Sequence, residues 1–343
     1  MKWTGWLLIG GIVLLPLVTW WTLASPNRVL AVRETPTWLL TILLLLVLAS
    51  WVWDQDRWLG AFIAYWVLWD MPFRGPLAHE MVLLVALGAV GLCAVRLIPR
   101  SSHPSVRFVL VGVGLLQCLS IFGQTMGYEP LWAGLMTTPN RPVGTLGNET
   151  WVATLLAVIA PLAPWYLLPL FFLALYLTHS LMGMVAASVA VLILYRESYT
   201  VITLAYAGAL ALIVDPSHLL ASWSIRWAVW MQALTDQTWL TVLIGRGPGA
   251  WLMQPRMAQG ELFLWAHNEF LQLFYEGGLV ALVLLAGWLW AHRTPLARLP
   301  YGASVVALGG MGLTMFPFHL AITGLLGIVV LGMATAPEDP CAS

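Results

Sequence analysis

Residues 266–291 read AHNEFLQLFYEGGLVALVLLAGWLWA, and the reading of this stretch decides the fold. From Glu269 to Ala291 the run is apolar over roughly the 20 residues that a helix needs to cross a ~30 Å hydrocarbon core. Its beginning nevertheless carries His267, Asn268, Glu269, Gln272 and Glu276, in a chain with only 9% charged residues. Asn268 suits a helix N-cap, and Glu269 suits the positive end of the helix dipole. Asn268, Gln272 and Glu276 recur at i, i+4 and i+8, so a polar stripe descends about two turns into an otherwise apolar helix. An ionisable group at the depth of Glu276 is costly and is expected to face a bundle interior or wet cavity, with a partner. His267 sits at the mouth of the stripe, where an imidazole can accept or relay a proton. The bland alternative is an interfacial histidine beside a structural Glu–Arg pair.

The rest of the chain extends the pattern. It has 343 residues, is 60% hydrophobic with a mean hydropathy of +0.85, and balances 15 basic against 15 acidic residues, so no net charge steers it to nucleic acid. Apolar stretches near 5–24, 37–53, 79–98, 106–126, 269–291 and 317–334 approach or reach spanning length, and shorter ones occur at 58–70, 180–195, 199–214 and 301–314. With no water to satisfy their backbone groups in lipid, these segments must be helices. The expected fold is all-α, a polytopic membrane helical bundle forming a single integral membrane domain over 1–343. The run after Lys2 exceeds the h-region of a signal peptide and reads as the first span. The 21 tryptophans fit aromatic belts at the two interfaces. Cys93, Cys118 and Cys341 offer neither a disulfide framework nor a metal-ligand spacing.

Pro161, Pro164 and Pro169 interrupt the stretch 150–178. A turn there makes about twelve spans, and a kinked single helix makes eleven. Lys and Arg accumulate in short cytoplasmic loops. With twelve spans and an inside N-terminus, the inside holds Lys2, Arg57, Arg96, Arg100, Arg107, Arg196, Arg293 and Arg298, against Arg28, Arg33, Arg74 and Arg141 in the short outside loops, which favours twelve.

That topology leaves one large extracytoplasmic loop, 215–268. Within it SWSIRWAVWMQAL (222–234) places Trp223, Trp227, Trp230 and Leu234 at helical spacing, which predicts an amphipathic helix in the interface plane with Ser222 or Ser224 as N-cap. Arg226 in this helix either anchors it against an indole or offers planar donors to a phosphate. GRGPG (245–249) is a flexible turn without the lysine or preceding strand of a P-loop. Arg246 and Arg141 fall on the same outer face, and arginines without a matching acidic cluster suggest an anionic ligand. Asp54 and Asp56, a D-x-D pair on the cytoplasmic side, read as helix capping rather than a metal site. The NET sequon at 148–150 stands against a membrane helix and is discounted.

Six stretches, RPVGTLGNET, LTHSLMG, SIRWAVW, LIGRGPGAW, AHNEFLQLFYEGGLVAL and MFPFHLAITGLLGIVVLG, in that order, resemble the O-antigen ligase and polymerase superfamily of bacterial membrane glycosyltransferases. The resemblance covers about 140 to 334. Its most specific piece is H-N-x-x-L-x-x-x-x-E-x-G, met by His267, Asn268, Leu271, Glu276 and Gly278; R-x-x-x-W and a G-x-G turn are met by Arg226, Trp230, Gly245 and Gly247. It implies about twelve helices with a periplasmic loop in the bacterial inner membrane. The implied activity moves a glycan from an undecaprenyl-pyrophosphate donor to an acceptor hydroxyl on a glycan, lipid or protein, inverting the anomeric carbon without metal or cofactor. It assigns the pyrophosphate to Arg226 and activation of the acceptor to His267, with Glu276 expected to orient neighbouring groups; Arg246, Arg141, Asn268, Glu269 and His179 are the further candidates for contact with the substrate. One element departs from the family: an S-R-G-like motif reads Ser180, Leu181, Met182, Gly183, so a cation is missing at Leu181, and Arg246, Arg141 or a protonated His179 would have to replace it. The competing expectation is a transporter or flippase of a lipid-linked glycan, which calls for broken helices and midplane polar groups in repeat-related pairs. The polar groups cluster at one interface instead, and no repeat is visible. A third reading is a family member that only binds or scaffolds.

Overall fold

The computed structural model describes residues 52–53, 55–70, 76–128, 142–195, 216–258 and 260–337. The expected spans near 5–24 and 199–214, nearly all of 37–53, and the candidate residues Asp54 and Arg141 lie outside the described residues. The helices in chain order are α1 (Arg57–Asp70), α2 (Pro76–Arg96), α3 (His103–Thr125), α4 (Glu149–Ile159), α5 (Leu168–Leu177), α6 (Leu181–Leu194), α7 (Pro216–Thr235), α8 (Trp239–Ile244), α9 (Ala250–Met253), α10 (Glu269–Ala291), α11 (Arg293–Leu296), α12 (Tyr301–Gly312) and α13 (Ala321–Thr335). The helical class follows the hydropathy pattern. The all-α expectation takes one correction: β1 (Arg256–Ala258) and β2 (Glu261–Phe263) pair antiparallel with Met257 opposite Leu262. Gly260, at φ 83°, supplies the left-handed residue of the two-residue turn, and strands of three residues are too short for their alternation to register in sequence.

Two helices among the described residues are long and apolar enough to cross a membrane, Arg100–Thr125 and Glu269–Ala291. Others are shorter than the apolar runs that contain them. α5 has 10 residues, α6 14 and α13 15, which at 1.5 Å per residue gives about 15–22 Å against a ~30 Å core. The causes are local. Ser180 caps α6 by accepting from Gly183 N, and a 3₁₀ turn at Pro317–His319 delays the start of α13. In 150–178, Ala163 and Pro164 are extended (ψ 149° and 148°), the first in the conformation that a following proline favours; the stretch is two helices with a turn.

The chain divides into two compact units, one of Arg96–Asp215 and Pro295–Ser343 with Met1–Ala24, the other of Ser25–Val95 and Pro216–Thr294. In the first, Val152 to Ile159 of α4 are buried on every side, as befits a core helix, with α3, α6 and α12 packed around it. The α3 glutamines hold the preceding loop: Gln124 Oε1 accepts from Val143 N (2.8 Å) and Gly144 N (2.9 Å), and Gln117 Oε1 from Thr145 N (3.0 Å). Asn148 caps α4 through Thr150 N and Trp151 N, so the sequon asparagine has a structural task.

In the second unit, Ile63, Trp66, Val82, Ala86 and Ala281 join α1, α2 and α10. A second cluster of Val229, Trp230, Ala233, Trp251, Phe263 and Tyr275 joins α7, α9, the hairpin and the start of α10. α7 begins at Pro216, whose fixed φ and missing N–H suit a first helical position, so Ser222 and Ser224 lie inside the helix and neither caps it. Its aromatic stripe is split: Trp230 is buried, whereas Trp227 and Leu234 face outward. Asp56 caps α1 through Trp58 N (3.1 Å) and Leu59 N (3.2 Å), while its other oxygen accepts from Trp288 Nε1 (2.9 Å) and meets His292 Nε2 (3.2 Å) at the far end of α10.

Candidate functional site

α10 is not one continuous helix. Gly278, at φ 64° and ψ −165°, breaks it just past Glu276, the last residue of the polar stripe. A break releases carbonyls from the helical ladder, and the GRGPG loop takes them: Arg246 N donates to Tyr275 O (2.9 Å) and Gly247 N to Glu276 O (2.7 Å). The Tyr65 hydroxyl adds a tie, 2.6 Å from Ile244 O and 2.8 Å from Gly277 O. The two backbones approach so closely that a Cβ on Gly245 would stand 2.1 Å from Glu276 O. The loop read from sequence as a flexible turn is a backbone clasp.

The polar stripe is inside. Gln272 and Glu276 are 1% and 5% exposed, so their hydrogen bonds are obligatory. Asn268 caps α10 by accepting from Leu271 N (2.9 Å). The Glu276 carboxylate accepts from Gly249 N (3.1 Å) and Trp251 N (3.3 Å) at the start of α9, and from Gln272 Nε2 (3.2 Å). Gln272 Oε1 in turn accepts from Ala266 N (3.2 Å), and Ala266 O accepts from the buried Trp230 indole (2.7 Å). Both backbone groups of the residue before His267 are thereby fixed from opposite sides. Glu276 is thus held by backbone amides of residues 249 and 251 that no spacing could reveal.

His267 itself has φ 50°, a left-handed conformation costing a non-glycine residue on the order of 1 kcal/mol. Its ring packs edge-on against Phe263 at 5.7 Å. Burial first, and the nearby Arg226 guanidinium second, hold its pKa down at about 4, so the imidazole is neutral around pH 7. Burial also lowers the pKa of Arg226 from its usual value. The structure thus brings Arg226 and His267 together beside the capped end of α10, where Asn268 and Glu269 follow.

His179 belongs to the first unit, where it is exposed at the end of α5 with φ 55° and its ring 6.4 Å from that of Tyr176. Arg246 donates to Asp236 O and lies 5.3 Å from the Tyr275 ring centroid. Arg256, which the sequence reading passed over, lies 5.3 Å from the same ring, donates to the Tyr275 hydroxyl (2.9 Å) and pairs with the Asp236 carboxylate. Burial opposes its charge, but Asp236 and Tyr275 more than offset that and raise its pKa. Its only signal in sequence is that it is a further arginine between 215 and 268. Compared with known proteins, the chain matches no family model and no curated protein.

Proposed function

We propose that the chain is a membrane glycosyltransferase of the O-antigen ligase and polymerase kind, built as a bundle of about twelve spans in a bacterial inner membrane with this site facing outward. It transfers or polymerises a glycan from an undecaprenyl-pyrophosphate donor onto an acceptor hydroxyl of a sugar, lipid or protein. The observation that carries the reading is the nearness of Arg226, one turn before the Trp230 that is tied to Ala266 O, to a half-buried, neutral His267 on left-handed backbone. A neutral imidazole removes the acceptor proton as the acceptor oxygen bonds to C1 of the sugar. The C1–O bond to the diphosphate breaks, and the planar Arg226 fork in a low-dielectric setting stabilises the departing charge. Attack opposite the leaving group inverts C1. The two spanning-length helices and the outward Trp227 and Trp239 support a site at a lipid boundary, where a lipid-linked donor arrives.

Purified protein in lipid vesicles, supplied with an undecaprenyl-pyrophosphate oligosaccharide and an acceptor, should join glycan to acceptor. Movement of the lipid across the vesicle without bond cleavage would establish the transporter reading instead. Addition of a chelator should leave the rate unchanged; loss that magnesium or manganese restores would overturn the metal-free route.

A further inference from the structure

A second charged corner of the same unit has a composition that its internal bonds do not satisfy. Asp236 opens the turn between α7 and α8, with its backbone carbonyl bound by Arg246 and its carboxylate by Arg256. Two guanidinium groups against one carboxylate leave a net positive charge. Both also pack on one face-bearing ring, Tyr275, at 5.3 Å. Among the described residues, Nε of Arg246, Nε of Arg256 and both amide atoms of the adjacent Gln237 are buried with no hydrogen-bond partner. Native proteins leave few buried polar groups unsatisfied, and a cluster of them marks a place for a water or an ion. The Arg256 side chain is 11% exposed, so its charge is largely desolvated, while Asp236 at 51% is free to swing away.

The geometry points to an oxyanion-binding site formed by Arg246, Arg256 and Gln237, with Asp236 as the internal occupant that an external phosphate or carboxylate displaces. Each arginine offers Nε and Nη in the planar fork that matches an oxyanion, and the Gln237 amide supplies a further donor. The Tyr275 ring holds the two cations in place by cation–π attraction. The ligand is an oxyanion, either a phosphate ester or a carboxylate such as that of an acidic sugar. This site does not rest on glycosyl transfer at Arg226 and His267, and it has its own readout.

The test is binding of inorganic phosphate and, separately, of glucuronate to the full chain in detergent, read by calorimetry and by the shift in melting temperature. Wild type should bind one of the two. Asp236→Asn should bind it several-fold more tightly because the competing carboxylate is gone. Arg256→Gln should weaken it by about tenfold, the worth of one charge-assisted contact. Preference for phosphate assigns the site to phosphate esters, and preference for glucuronate assigns it to acidic sugars. Binding of neither anion by wild type and Asp236→Asn, both folded, would overturn the proposal and leave Arg256 a structural ion pair. Failure of glycan transfer with anion binding intact would bear on the proposed function alone.

Discussion

His267 is where the chemistry and the strain coincide. A left-handed histidine is retained only where its surroundings over-determine it, and here the tie from Trp230 to Ala266 O and that from Ala266 N to Gln272 do so. His267→Ala should abolish transfer in a protein that still folds, since alanine bears the same left-handed backbone cost and loses only the packing of the ring on Phe263; wild-type turnover in that variant would remove it as the base. With its pKa held at about 4, below the ordinary 6.5, the folded protein binds fewer protons than the unfolded chain between those values. Its contribution to stability is therefore complete above about pH 6.5 and lost as the pH falls towards 4. The same shift sets the rate: kcat/KM should stay flat from about pH 8 down to about 5 and fall only below, and an acid limb near 6.5 would show the imidazole to be ordinary. Arg226→Lys should cost at least about tenfold in kcat/KM, since a point charge cannot reproduce the fork; an unchanged rate would leave Arg226 as an anchor of α7.

At the scale of elements, the crossing of α8 with α10 sets the position of everything polar around it. Gly245→Ala would drive a Cβ to 2.1 Å from Glu276 O on backbone with φ 73°, and should lower stability by at least about 2 kcal/mol, seen as a lower melting temperature. A melt equal to wild type would mean that the crossing is looser than described. The start of α10 was legible in sequence, because an Asn N-cap, a following Glu and an i, i+4, i+8 stripe are all local signals. Its break was not, since EGG reads equally well as a tolerated pair of glycines inside a helix. The partners of Glu276 were hidden for a different reason. They are backbone amides of residues 249 and 251, and every residue has such a group, so no residue type announces them. The hairpin and Arg256 escaped likewise, the first through its length and the second because its meaning depends on Tyr275 and Asp236, distant in the chain. The serines of 222–234 misled for the opposite reason, a cap-like residue lying inside a helix that Pro216 had already started.

At the scale of the molecule, hydropathy predicts the helical class, but of six stretches read as near or at spanning length only two are helices of that length among the described residues, and the count of twelve rests on segments of which several are short or outside them. The proposed topology makes a direct prediction. In a Cys341→Ser background, a cysteine replacing Trp239, which is 80% exposed, should react with a membrane-impermeant maleimide in intact cells, and one replacing Arg293 should react only after permeabilisation. Labelling in the reverse order would turn the site towards the cytosol and end the glycosyltransferase reading. Each compact unit is also interrupted: the second draws on Ser25–Val95 and on Pro216–Thr294, with part of the first between them. A ribosome thus finishes Asp56 some 232 positions before Trp288 exists to receive its second oxygen. Until then the carboxylate can only cap its own helix, so this tie, and with it the closure of the unit, must wait until most of the chain has been made.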